Sequence, residues 1–185
     1  PYPKTDRETY AEDPLTDPSA GGFDAGVRMG EALDADMIAV RLTGPFRFVV
    51  VATPAYLEKH GRPQSPEDLP THRCVRMRLA SGAMLPWTFA RGNREFEVGV
   101  TGPVIVNDFT SLMVAVRAGV AMGMLAEPVT EALVASGEIE LVLAEHAPST
   151  SGLFLYYPSR KQMMPKLRAF IDYVRDYLPD YLTDG

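Results

Sequence analysis

The chain has 185 residues, 46% hydrophobic and 23% charged, which is the composition of a globular protein and excludes a disordered chain or a coiled coil. Its formal net charge of −6 and pI near 5.1, with no cluster of Lys and Arg, exclude DNA as a partner of this chain alone. The single cysteine, Cys74, allows no intrachain disulfide, and no apolar run reaches the about 18 residues of a membrane span, so we expect a cytoplasmic protein that does not enter a membrane.

The first half of the chain contains one strand and one helix with strong local signals. Residues 1–22 are polar and predict at most an edge strand. Residues 46–52 form a continuous β-branched and aromatic run, which predicts a strand buried on both faces. Thr53 is predicted to cap a helix that has Pro54 at its first position and stops at Gly61.

The middle of the chain predicts an antiparallel insertion. A short strand is expected at 74–77, where apolar and basic residues alternate. Residues 87–89 and 96–100 alternate apolar with polar or small residues, and Gly92 and Asn93 between them supply turn chemistry. These two segments therefore predict a hairpin with one wet face.

The second half of the chain alternates strands with helices. In chain order the predicted elements are a strand at 104–106, a helix from 107 to 119, a strand at 120–125, a helix from 127 to 137, strands at 139–143 and 153–157, and a final helix over 167–178. Three successive strand and helix units predict a mainly parallel sheet with helical crossovers.

The residue types that usually carry catalysis are scattered. His60, His72 and His146 lie beside predicted turns without the spacing of a metal site, so we interpret them as solvent-exposed structural histidines. Cys74 lies in an apolar strand and is interpreted as a small core hydrophobe. The glycines of 119–123 follow a helix, whereas a dinucleotide-binding loop follows a strand. The sequence therefore predicts no catalytic residue, no metal and no cofactor.

Two predicted helix N-termini are candidate sites for an anion, one at Thr53 and the other at Asp108. In open α/β sheets ligands bind beyond the carboxyl ends of the strands, and both turns follow a predicted strand, so we expect them to share one edge of the sheet. Plain helix capping is the alternative, favoured for either turn taken alone. Arg28, Arg76 and Arg78 are candidate countercharges for an acidic ligand.

Short segments with recognisable residue patterns are spread over nearly all of the chain from residue 22 onward. The segments are 22–31 (GFDAGVRMGE), 52–57 (ATPAYL), 60–63 (HGRP), 66–69 (PEDL), 86–89 (PWTF), 106–108 (VND), 118–125 (AGVAMGML) and 155–160 (LYYPSR). In order and spacing this set resembles the effector-binding domain of LysR-type transcriptional regulators.

The resemblance implies an α/β fold of the two-lobed, type 2 periplasmic-binding-protein-like kind, with mixed sheets flanked by helices. Lobe I would comprise 1–47 and 156–185 and be incomplete, because the first strand and helix of the family are missing here. Lobe II would comprise 48–155, with crossing strands near 46–52 and 153–157. The winged helix-turn-helix that reads DNA in this family is absent from this chain.

The resemblance also implies a function, which is to sense a small organic effector, anionic or aromatic, in the cleft between the lobes. Effector binding would shift the geometry of a homodimer or homotetramer, and DNA would be reached only through the absent domain. The residues implied in effector binding are Met29, Gly30, Glu31, Thr53, Pro54, Arg78, Ser81, Gly82, Asn107, Asp108 and Phe109.

Two other functions fit the same fold. A periplasmic solute-binding protein is the leading alternative, and an export signal upstream would distinguish it from a regulator. An enzyme with Glu31 or Asp108 as a general base is the second, although no catalytic partner can be named for either carboxylate.

Overall fold

The computed structural model describes residues 24–30, 37–158 and 165–177. In chain order its strands are β1 (Gly26–Met29), β2 (Met37–Arg41), β3 (Phe48–Ala52), β4 (Arg76–Met77), β5 (Trp87–Arg91), β6 (Arg94–Val98), β7 (Ile105–Val106), β8 (Gly123–Ala126), β9 (Glu140–Val142) and β10 (Leu153–Pro158). The α-helices are α1 (Pro54–His60), α2 (Phe109–Arg117), α3 (Glu127–Ala135) and α4 (Pro165–Tyr177). Within these ranges, no helix combines the length and apolar character that crossing a membrane requires.

The chain divides into two compact units. Unit 2 is Arg47–Ser149, and unit 1 combines the chain before it with the chain after it. The first crossing between units lies next to the predicted lobe boundary at 47/48. The second falls between Ser149 and Thr150, earlier than the predicted 155/156, because all of β10 pairs with strands of unit 1.

Unit 1 is built around β10, which lies between β1 and β2 and is antiparallel to both. Alternation along β10 directs Leu155 and Tyr157 to one face, where they pack with Leu167 and Ile171 of α4. The sequence predicts neither β1 nor β2, since both are short and only half-buried. The predicted edge strand within 1–22 lies outside the described residues.

Unit 2 contains a mixed sheet. Strand β3 lies between β8 and β9 and is antiparallel to both, while β4 and β7 are parallel. A parallel bridge between Cys74 and Met122 joins the two pieces, and the Val75 amide donates to the Met122 carbonyl at 2.8 Å. The strand order is therefore β9, β3, β8, β4, β7, and β3 runs opposite to the other four.

The prediction of a mainly parallel sheet is thus wrong for β3. A short crossover through one helix forces parallel strands, as α3 does between β8 and β9. Strand β3 is joined to its neighbour β8 only through the long segment 53–122, which includes α1, the β5–β6 hairpin and α2. A connection of that length leaves the direction of β3 to be decided by tertiary packing.

The two faces of this sheet carry separate cores. Val50 and Ala52 face one core, which also contains Cys74, Trp87 and Phe89 and is covered by α1 and the hairpin. Val49 and Val51 face the other, which is covered by α2 and α3. The prediction that this strand is buried on both faces is confirmed, and so is the prediction of Cys74 as a core hydrophobe, since its side chain is fully buried.

Candidate functional site

The predicted site residues of unit 2 lie at two opposite ends of its sheet. Phe48 begins β3, and its ring is stacked against that of Phe109, the first residue of α2, with 6.4 Å between centroids. The N-terminus of α2 therefore lies where β3 begins, whereas Thr53 lies just past the point where β3 ends. We name these the proximal end, which holds Arg47, Phe48 and Phe109, and the distal end, which holds Thr53. The expectation that both helix N-termini share one edge is wrong, because β3 is antiparallel to β7.

At the distal end the Thr53 side chain acts as a helix cap. Its Oγ1 accepts a hydrogen bond from the Tyr56 amide at 3.3 Å, and the residue is only 8% exposed. A Cβ placed on Gly119 would lie 3.2 Å from the same oxygen, so the turn before β8 packs directly against it. The capping interpretation of Thr53 is confirmed, and the structure does not bring Thr53 or Pro54 together with the other predicted residues of unit 2.

At the proximal end the carboxylate of Asp108 caps α2. It accepts hydrogen bonds from the amide and from the hydroxyl of Ser111, both at 2.7 Å. The hydrogen bond from the Ser111 amide has the larger effect and that from the Ser111 hydroxyl the smaller, and both lower the pKa of Asp108. The carboxylate therefore stays ionised at neutral pH. Because this charge already satisfies the helix end, the α2 N-terminus offers little to a second anion. Asn107 and Phe109 on either side of it are exposed.

A tight loop follows β4 at the same end. The Arg78 amide donates to the Val106 carbonyl at 2.7 Å, which places Arg78 beside the end of β7. Its Nη1 donates to the carbonyl of Gly82 at 2.9 Å and so closes the loop, in which Gly82 has a φ of +87° that favours glycine. Ser81 is exposed at the tip. The loop therefore presents a cation, a hydroxyl and backbone groups next to Asn107.

Arg76, the first residue of β4, lies two residues before Arg78, which directly follows that strand. Val75 and Met77 belong to the core under α2 and α3, so alternation turns Arg76 to the opposite face, which is also the face of Phe48. The Nε of Arg76 is buried and has no hydrogen-bond partner among the residues that the structure describes. Leaving a buried N–H donor unpaired costs about 1–3 kcal/mol.

Sequence reasoning missed two features of the proximal end. Arg47 forms a two-pronged ion pair with Glu127, and its Nη1 donates to the carbonyl of Ala144 at 3.1 Å. The hydrogen bond to Glu127 raises the pKa of Arg47. Phe48 was predicted only as part of a strand, and its stacking on Phe109 depends on the order of strands in the sheet. A charged or aromatic residue at the first position of a buried strand is the one signal that could have drawn attention to them.

In unit 1, Met29 and Gly30 form an ordered turn after β1. Met29 is 48% exposed, and Gly30 has a φ of +85°. The Gly30 amide donates to the carbonyl of Gly152 at 3.3 Å, and the hydroxyl of Tyr156 donates to the carbonyl of Gly30. Glu31, the third predicted residue of this turn, lies outside the described residues.

The groups that could carry catalysis or bind a metal are dispersed. Across 24–30, 37–158 and 165–177, no three His, Cys, Asp or Glu residues are close enough to hold a metal ion. His60 is exposed as predicted, whereas His72 and His146 are half-buried, so the prediction of exposure is wrong for these two. The ring of His72 lies 6.4 Å from that of Tyr56. Burial raises the pKa of the Cys74 thiol to about 12, which leaves it unreactive.

Comparison with known proteins gives a consistent set of similarities. A family model described as LysR substrate binding domain matches residues 2–179. The chain is 37% identical over 174 residues, 94% of its length, to the uncharacterized HTH-type transcriptional regulator YcaN of Escherichia coli strain K12, and 30% identical over 172 residues, 92% of its length, to the HTH-type transcriptional regulator PgrR of the same organism. It spans 57% and 58% of the lengths of these two proteins. The regulatory domain of CrgA, a LysR-type transcriptional regulator from Neisseria meningitidis, is 26% identical, with a TM-score of 0.69 over 87% of this chain and 78% of that one.

Proposed function

Because this chain belongs to the LysR substrate-binding-domain family, we propose that it senses a small organic effector and passes that signal to a DNA-binding domain in the same regulator. Its fold is the type 2 periplasmic-binding-protein-like α/β fold with mixed sheets. LysR-type regulators bind small-molecule effectors and form oligomers, and the relatives of this chain are HTH-type transcriptional regulators. These relatives favour a regulator over an exported solute-binding protein or an enzyme.

We place effector binding at the proximal end of unit 2. The observation that carries this proposal is the aromatic pair of Phe48 and Phe109, in which Phe109 remains 46% exposed. Polar groups of Arg78, Ser81 and Asn107 come from neighbouring strand ends of the same sheet. An exposed aromatic ring at a sheet end that also carries polar groups suits a small planar molecule. Met29 and Gly30 of unit 1 stay predicted contacts of the effector.

In the cell the effector would act through a homodimer or homotetramer in the cytoplasm. A ligand shifts a conformational equilibrium only to the extent that it binds one state better than the other. We therefore propose that the effector favours one arrangement of the oligomer, and that the attached DNA-binding domains respond to that arrangement. This chain has a net charge of −6 and needs those domains to reach DNA.

The test is a ligand screen on the full-length regulator that contains this chain. A panel of aromatic and aliphatic organic acids, with neutral analogues, is titrated calorimetrically and by thermal unfolding. We expect at least one aromatic compound to bind, and Phe109→Ala to weaken its binding by about tenfold through lost ring contact. Val114→Ala is the matched control, since Val114 is on the same helix and 62% exposed but away from Phe48.

Two results would contradict the proposal. Failure of every compound to bind the full-length protein removes the support for effector sensing. Equal binding by the Phe109 and Val114 variants retains effector sensing but excludes the proximal end as its location.

A further inference from the structure

The proximal end of unit 2 has more positive charge available than its ion pairs use. Neither Arg76 nor Arg78 forms an ion pair within the described part of the chain. The acidic groups nearby are already committed, because Glu127 pairs with Arg47 and the carboxylate of Asp108 caps α2. Among the described residues, therefore, no carboxylate pairs with these two arginines.

The two arginines lie on one face of the chain, at β4 and just after it, and differ in burial. In a strand, residues i and i+2 point the same way, about 7 Å apart, so Arg76 and Arg78 are neighbours on the face that also carries Phe48. The guanidinium of Arg78 is exposed and holds the loop through Gly82, whereas the Nε of Arg76 is buried without an acceptor. Buried N–H groups in native proteins are nearly always paired, so this donor is open to an acceptor that the described residues do not supply.

Resting on the proposed effector site, we infer that the effector carries a carboxylate and that the Nε–H of Arg76 donates to it. A carboxylate is planar and presents two oxygens, which matches the edge of a guanidinium, and a charged acceptor is the strongest available for this donor. The aromatic pair of Phe48 and Phe109 on the same end accommodates the apolar body of the molecule. The α2 N-terminus takes no part, since Asp108 occupies it.

The unfolding temperature of an Arg76 variant distinguishes a ligand-binding role of Arg76 from a structural role. Replacing Arg76 with Met keeps an unbranched apolar stem and removes the unpaired donor. Since no described residue accepts from this donor, Arg76→Met should unfold at the same or a higher temperature than the parent protein. An arginine that holds the fold together would give a lower temperature instead.

The experiment uses the full-length regulator and defined probes. Benzoate, phthalate and aliphatic mono- and dicarboxylates are titrated beside their uncharged primary amides. We expect a carboxylate to bind and its amide to bind at least about tenfold more weakly. Arg76→Met should weaken the binding of the carboxylate by roughly 10- to 100-fold. Arg94→Gln, an exposed hairpin arginine, is the control and should leave binding unchanged. Arg76→Lys, which keeps the charge without the Nε donor, should recover only part of the affinity.

The outcomes separate this inference from the function on which it rests. If amides bind as well as acids, or if Arg76→Met binds the acid normally, the carboxylate contact is overturned while effector sensing stands. In another outcome, Arg76→Met unfolds at a lower temperature, and both Arg76 variants lose binding of the acids and of the neutral compounds alike. That result assigns Arg76 to the fold and also overturns the inference. Absence of binding by every probe to the parent protein removes the proposed function and this inference together.

Discussion

Individual side chains in unit 2 differ in whether the fold already satisfies their polar atoms. Thr53 and Asp108 each cap a helix and accept hydrogen bonds from their own backbone segment. Arg78 is exposed but closes its own loop. Only the Nε of Arg76 is both buried and unpaired among the described side-chain atoms. Among these side chains, the hydrogen-bond donor that is open to a ligand therefore belongs to an arginine and not to a helix end.

His72 makes the stability of unit 2 depend on pH. Burial lowers the pKa of His72, Asp68 opposes this shift and His60 adds to it, and the ring faces Tyr56. With a folded-state pKa below the ordinary 6.5, the unfolded chain takes up the proton first, so the contribution to stability is complete above pH 6.5 and is lost as the pH falls below it.

We expect His72→Gln to reduce the fall in unfolding temperature between about pH 7 and pH 5. The measurement is thermal unfolding in a pH series for both proteins. Above pH 7 the two curves should run parallel, which serves as the internal control. A parent and a variant that lose stability equally on acidification would contradict the role of His72.

Among the elements, the contact between β8 and α2 depends on a glycine. A Cβ on Gly123 would lie 2.5 Å from a methyl of Val116 and 2.7 Å from one of Leu112, both buried side chains of α2. The helix can approach the strand this closely only because position 123 carries no side chain. The approach holds α2, and with it Phe109, over the proximal end of the sheet.

Gly123→Ala should destabilise the protein by about 1–3 kcal/mol, because the added methyl overpacks the core below α2. Gly99→Ala is the matched control, since nothing lies within 4 Å of its Cβ, and it should change stability by less than about 0.5 kcal/mol. Urea unfolding of both variants measures the difference. Equal midpoints for the two variants would show that α2 moves away from β8 without cost.

For the whole molecule, the two units differ in how the chain builds them. Unit 2 is one continuous segment, and its first and last residues, Arg47 and Ser149, form a β-bridge. It encloses two cores of its own. Unit 1 is made from segments on both sides of unit 2. A continuous segment with paired ends and internal cores has what an autonomous domain requires.

We therefore expect residues 47–149 to fold when expressed alone. Trp87, the one tryptophan of the sequence, is 3% exposed and reports on the core under the hairpin. Its emission in the isolated unit should match that of the whole chain, and thermal unfolding should be cooperative. A red-shifted emission without a cooperative transition would mean that unit 2 depends on unit 1.

The local elements of this protein follow from local sequence. Caps, glycine stops and apolar periodicity predict α1, α2, α3 and the β5–β6 hairpin close to their observed bounds, because each signal acts within a few residues. The same local signals predict that Thr53 and Asp108 cap helices. The family segments, by their order, predict the fold that the comparisons show.

The grouping of the site residues was decided by tertiary structure alone. Strand β3 reaches its partner β8 through some seventy intervening residues, so no local pattern sets its direction. That direction moves Thr53 to the distal end and brings Phe48 against Phe109. The burial that leaves the Arg76 Nε unpaired is likewise a property of the packed sheet, since it depends on side chains from distant segments closing around one atom.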